Sequence, residues 1–139
     1  MLDSTHQVIA GIVLLTVIGV AYGGRFVFTA VTGRFPANDL QKSFFRAGHA
    51  HAGVLIILGL LIMVIVQANG VPEPFATISL GVLVAAILMP AGFFVSVIGR
   101  DPTRPNRAIM VLWIGAAVLG VGLLAAGVGL IIQGVTSAP

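Results

Sequence analysis

Four stretches of this chain, 8–32, 47–66, 75–98 and 108–132, are apolar over nearly their whole length. Each meets the ~20 residues an α-helix needs to cross a ~30 Å hydrocarbon core. In lipid every backbone N–H and C=O must bond within the protein, so such stretches are read as helices. The segments between them are short, which leaves no room for a separate extramembrane domain. The expected fold is therefore all-α, a four-transmembrane-helix antiparallel bundle forming a single membrane domain over 1–139, with helices at 8–32, 39–67, 75–99 and 108–133. Composition agrees: 58% of residues are hydrophobic and 8% charged, whereas a soluble domain places charge on about a quarter of its positions. The bilayer is thus the first expected partner.

The opening Met-Leu-Asp-Ser-Thr-His-Gln carries an acid and neither Lys nor Arg, unlike the n-region of a secretory signal. The first helix is therefore expected to stay in place. With no cysteine, disulfides, thiolate ligands and CxxC redox pairs are excluded, and the compartment cannot be read from cysteine usage. The net charge of +3 is spread over loops. It does not make the dense basic face that nucleic-acid binding requires.

All seven basic residues lie in two places, Arg25, Arg34, Lys42 and Arg46 around the first turn and Arg100, Arg104 and Arg107 in the third. Lys and Arg near helix ends are retained on the cytoplasmic side. The expected location is the inner (plasma) membrane, multi-pass, with both termini outside and loops 33–46 and 99–107 cytoplasmic. The two basic loops also read alike, Gly33-Arg34-Phe35-Pro36 and Gly99-Arg100-Asp101-Pro102. A duplicated hairpin is one source of that likeness, and ordinary turn chemistry is another.

Helix two is expected to begin with Asn38 or Asp39 as N-cap, followed by the polar first turn Gln41, Lys42, Ser43. Pro90, in mid-span of helix three, removes one backbone hydrogen bond and predicts a bend near Met89. In helix four, Gly115, Gly122 and Gly129 recur at spacing seven, as do Gly120, Gly127 and Gly134. At ~100° per residue these form two smooth lines roughly 140° apart, along which neighbouring backbones can approach. Helix four is thus expected to pack on two sides, one partner being helix one or a second protomer. A homo-oligomer or membership of a larger membrane complex follows from that expectation.

The chemistry is concentrated in Phe44-Phe45-Arg46-Ala47-Gly48-His49-Ala50-His51-Ala52-Gly53. Ionisable residues in a spanning helix usually face a bundle interior or water. His49 and His51 are two residues apart and so point ~200° apart on a helix, which prevents them from chelating one metal as an i, i+4 pair does. His49 shares its face with Phe45, Gly53, Ile56, Leu60 and Met63, and His51 shares the other with Phe44, Gly48, Leu55 and Leu58. The bland alternative is that one His bonds a facing group such as Ser96 and the other reaches the interface.

Arg25 lies nine residues before Arg34, ~13 Å deeper on a continuous helix, and the spans hold no carboxylate to pair with it. Either Gly23-Gly24 ends or bends the helix and lets Arg25 reach the headgroups, or Arg25 answers an anion such as a lipid phosphate, a haem propionate or a substrate. Tyr22, one turn back, shares either role. Tyr22, Arg25, Arg46, His49 and His51, with Ser96 as a further candidate, are expected to define one polar pocket at the basic end.

The Arg-x-x-His-x-His run opening an apolar helix resembles, over residues 44–53, the His-bearing helices of haem-copper-oxidase-like membrane proteins. That resemblance implies haem as a cofactor, with His49 or His51 as axial ligand and Arg25 or Arg46 on the propionates. A second ligand would then come from Met63, Met89 or another protomer. More broadly, the Arg-Ala-Gly-His-Ala-His-Ala-Gly run resembles that of small uncharacterised four-helix membrane proteins of bacteria, a likeness that implies the fold and no activity.

Three functions are compatible with these residues: a non-catalytic structural or accessory subunit of a membrane complex, a haem- or metal-binding electron-transfer subunit, and a small dimeric proton-linked transporter or channel. The first demands least of the sequence, and the third lacks the embedded carboxylate such carriers use. An enzyme ranks last, since there is no carboxylate pair and no Ser-His-Asp set.

Overall fold

The computed structural model describes residues 2–137 and is helical throughout its spans. Helix α1 covers Ser4–Val31, α2 Asp39–Ala68, α3 Phe75–Ser79, α4 Gly81–Ser96 and α5 Ile109–Thr136. Helices α3 and α4 together form one span, so the chain has four helical segments of membrane-crossing length and hydropathy.

Each boundary has a local cause. Helix α1 begins at Ser4, before the apolar stretch, because the Asp3 carboxylate accepts from the His6 amide at 2.9 Å and caps the first turn. Its end is closed by Arg34 and Phe35, whose amides donate to the Thr29 carbonyl at 2.9 and 3.0 Å, with Gly33 supplying the left-handed φ of 77° that this turn needs. Helix α2 opens with a capping box in which Asn38 and Gln41 exchange hydrogen bonds of 2.9 and 3.1 Å.

The third span runs differently from the bend expected at Met89. Helix α4 is unbroken through Pro90 from Gly81 to Ser96, and the span instead steps at Leu80. There the bonding shortens to i, i+3, from the Leu80 amide to the Thr77 carbonyl at 3.2 Å and from the Leu83 amide to the Leu80 carbonyl at 2.9 Å. The step falls between Ser79 and Gly81, small residues of the kind at which helices deflect.

The four spans pack in sequence rather than as a closed square: α1 lies on α2 alone, α2 lies between α1 and α4, and the α3–α4 span lies between α2 and α5. Three apolar clusters hold this arrangement. Val27, Ala30, Phe45 and Val97 occupy the basic end, Leu55, Ile56, Ala86 and Met89 the middle, and Val66, Val71, Ala76 and Ala126 the opposite end.

The tightest contacts are between small residues and backbone. A β-carbon on Gly115 would stand 2.8 Å from Met89, one on Gly122 3.0 Å from the Val82 amide, and one on Gly129 2.6 Å from Val71. This glycine line is therefore buried against the third span and the turn before it. The second line is not: nothing lies within 4 Å of a β-carbon at Gly120, Gly127 or Gly134. Helix α5 is thus packed on one side only within the chain, and α1 is not its second partner.

Outward-facing Leu15, Ile57, Ile87 and Leu124 are 69–70% exposed, an apolar surface far too continuous for water. The surrounding medium is lipid.

Candidate functional site

His49 and His51 leave α2 on different sides. The His51 ring lies against Phe93 of α4, centroids 5.0 Å apart, and its Nδ1 donates to the Ala47 carbonyl at 2.8 Å. A carbonyl only accepts, so the proton sits on Nδ1 and Nε2 keeps its lone pair. The pocket side is filled at this level: a β-carbon on Gly48 would meet Phe94 at 2.8 Å.

His49 turns instead to α1. A β-carbon on Gly24 would stand 3.1 Å from His49 Nε2 and 3.3 Å from Cε1, and one on Gly23 3.9 Å from Nδ1. Gly23 and Gly24 therefore form the seat of this imidazole. They do not end α1, which stays helical to Val31. Arg25 is exposed and lies roughly 140° around α1 from Val20, which faces α2. Tyr22 is 75% exposed on the same outward side.

The expected single polar pocket is accordingly dispersed. His49 meets α1, His51 meets α4, and Tyr22, Arg25 and Arg46 face outward. None of these five lines any of the four cavities found in the structure. Ser96 is fully buried, yet its hydroxyl donates to the Phe93 carbonyl of its own helix at 3.2 Å rather than to an imidazole. Among the described residues no three His, Cys, Asp or Glu side chains come together as a metal site.

Two polar assemblies lie where sequence reasoning did not look. At the basic end, Gln41 is buried, and its Nε2 donates to the carbonyls of Val97 and Gly99 at 3.1 Å each. Asn38 Nδ2 donates to Asp101 Oδ1 and to the Pro102 carbonyl, both at 2.8 Å. Asn106 continues the stitching: its amide donates to the Ser96 carbonyl at 2.7 Å and its side chain to the Val95 carbonyl at 3.0 Å. The Asn38-x-x-Gln41 spacing was a readable signal for the cap, but nothing in the sequence pointed to its partners sixty residues on.

At the opposite end, His6 Nδ1 donates to Asp3 Oδ1 at 2.8 Å while its Nε2 accepts from Gln67 Nε2 at 3.1 Å. This ties the start of α1 to the end of α2. The His6 backbone amide first, and its ring second, hold the Asp3 carboxyl below the usual carboxylate range.

What the geometry offers is thus a set of interhelical ties and two accessible imidazoles. No buried side-chain nitrogen or oxygen among the described residues is left without a hydrogen-bond partner. No protein-family model, curated protein or solved structure matches the chain. Fold and surface define its class without them: a small multi-pass helical membrane protein.

Proposed function

We propose that the protein is a non-catalytic accessory subunit of a larger membrane complex, lying in the bacterial inner (plasma) membrane with loops 33–46 and 99–107 in the cytoplasm and both termini outside. Its outer α5 face docks a transmembrane helix of a partner subunit. The observation that carries this reading is the open glycine line Gly120, Gly127 and Gly134. Each glycine weakens a helix interior by about 1 kcal/mol relative to Ala. Three on one lipid-facing line gain nothing for the isolated chain, whereas they let a second backbone approach. Gly11 and Gly19 of α1 are open too, but eight residues apart they form no such line. The basic residues gathered in two loops support the orientation.

The test is a photo-crosslinking side chain in place of Leu124, which flanks the line and is 69% exposed. A single partner of different sequence should cross-link and co-purify, and Gly127→Leu should abolish both. Cross-linking to a second copy alone would replace the accessory role by self-association, and cross-linking to lipid alone would end the proposal.

One observation favours a second reading, haem ligation by His51: its Nδ1 bond to Ala47 leaves Nε2 as a free donor atom for iron. The second ligand would come from another chain, because Met63 and Met89 are buried in packing contacts. A Soret band lost in His51→Ala and retained in His49→Ala would carry it.

A further inference from the structure

Gln41, Phe45, His49, Ala52 and Ile56 follow one another at steps of three or four and so share one face of α2. That face is the floor of a groove between α1 and α4. On the basic side of His49 lies a cavity of about 310 Å³ bounded by Phe26 of α1, Gln41 and Phe45 of the floor, and Phe94 and Ile98. On its other side lies one of about 320 Å³ bounded by Val13 and Val20 of α1, Ala52 and Ile56 of the floor, and Ala86 and Ile87 of α4. The only polar side chain lining this second cavity is Thr16, whose hydroxyl is turned to the Val13 carbonyl at 2.6 Å.

His49 sits between the two, half-buried and without a hydrogen bond to any described residue. Its ring nitrogens are not sealed in, since no buried unpaired nitrogen exists among the described side chains. An imidazole at this depth calls for a partner.

We propose that this groove binds a neutral, lipid-soluble amphiphile with a flat carbonyl-bearing head and a slim hydrocarbon tail, the chemistry of a prenylated quinone. His49 donates an N–H to a head carbonyl, the rings of Phe26, Phe45 and Phe94 flank the head, and the tail lies in the aliphatic cavity. Three features select this occupant. Arg25 and Arg46 are exposed and turned away from His49, so no cation awaits a phosphate there. Phe26 and Phe94 approach to 6.5 Å between centroids, which shuts out a helix ~10 Å across. The aliphatic cavity of 320 Å³ holds roughly ten groups of water's ~30 Å³, a length of tail rather than a second head. The site is separate from the α5 face and stands whatever that face docks.

The experiment is equilibrium binding of a decyl-tailed benzoquinone to the full chain in mild-detergent micelles, corrected for partition into empty micelles. We expect saturable binding of one molecule per chain, weakened about tenfold in His49→Phe, as loss of one hydrogen bond implies. Thr16→Trp, which fills the tail cavity from an exposed wall and leaves His49 intact, should also weaken it, while lipid-facing Ile57→Phe should not. Absence of saturation, unchanged affinity in His49→Phe and Thr16→Trp, or equal competition by phosphatidylglycerol would each overturn the proposal.

Discussion

Asn38 and Asp101 are 63 residues apart in the chain, yet the Asn38 amide donates to the Asp101 carboxylate at 2.8 Å. The contact joins the two basic loops. Asp101 holds a left-handed φ of 53°, which Asp tolerates better than most side chains. Beside it Gln41 closes the start of α2 onto the backbone leaving α4. At this end, therefore, the contact between the second and third spans is made by directed hydrogen bonds as well as by packing.

Gln41→Leu should destabilise the fold by about 1–3 kcal/mol, because the Val97 and Gly99 carbonyls lose the donor they share. Chemical unfolding in detergent micelles reads this directly. An unchanged midpoint would mean that water reaches both carbonyls.

Asn38→Ala removes a cap as well as the Asp101 contact and should cost about 1–2 kcal/mol. Asp101→Ala should cost less. The double variant should show a coupling energy of about 0.5 kcal/mol or more, and strict additivity would show that the 2.8 Å contact contributes nothing in solution.

The His6 donors depress the Asp3 carboxyl, which fixes the sign of a pH effect at the other end of the molecule. A group whose folded value is lowered gives stability that is complete above its ordinary value of 3.8 and is lost as pH falls through the lower, folded one. Amide exchange at His6 and Gln7 should therefore accelerate as pH drops below that range, relative to the intrinsic rate. Asp3→Asn, which keeps an acceptor for the cap, should remove the pH dependence and leave the helix start in place.

The four spans were legible because lipid imposes one requirement on them, a long apolar helix, and hydropathy reports it without tertiary knowledge. Side-chain direction was legible only where period sufficed. The spacing of His49 and His51 correctly separates them onto two faces, and the glycines at spacing seven correctly mark 115, 122 and 129 as a contact line. What failed depended on neighbours. Gly23-Gly24 looks like a helix end, but the pair is the clearance for His49, which belongs to another helix. Pro90 attracts attention in sequence, whereas the step occurs at Leu80, a residue with no breaking tendency of its own. His6 looked isolated because its partner Gln67 is 61 residues away.

Orientation has a direct test, made clean by the absence of cysteine. Ser137→Cys should react with a membrane-impermeant maleimide on intact cells, and Thr103→Cys only after permeabilisation. The reverse pattern would turn the molecule over and place the basic loops outside.

The glycines make a prediction of opposite signs on helices that pack against each other. A β-carbon on Gly92 of α4 would collide with the backbone nitrogen of Leu112 and stand 2.6 Å from its Cα. Neither atom belongs to a side chain that can rotate away, so α4 and α5 must separate. Gly92→Ala should therefore destabilise the chain by about 1–3 kcal/mol. On the other side of α5, Gly127 has no neighbour within 4 Å, and Gly127→Ala in the dispersed single chain should stabilise it by about 0.5–1 kcal/mol through helix propensity alone. Both are read by thermal unfolding in the same detergent. Stabilisation of the isolated chain by Gly127→Ala, together with weaker capture of the Leu124 cross-linked partner, would show that this glycine serves the docked state rather than the fold. Destabilisation of the isolated chain by Gly127→Ala would show instead that it is already in contact, and the outer face of α5 would no longer be a free surface.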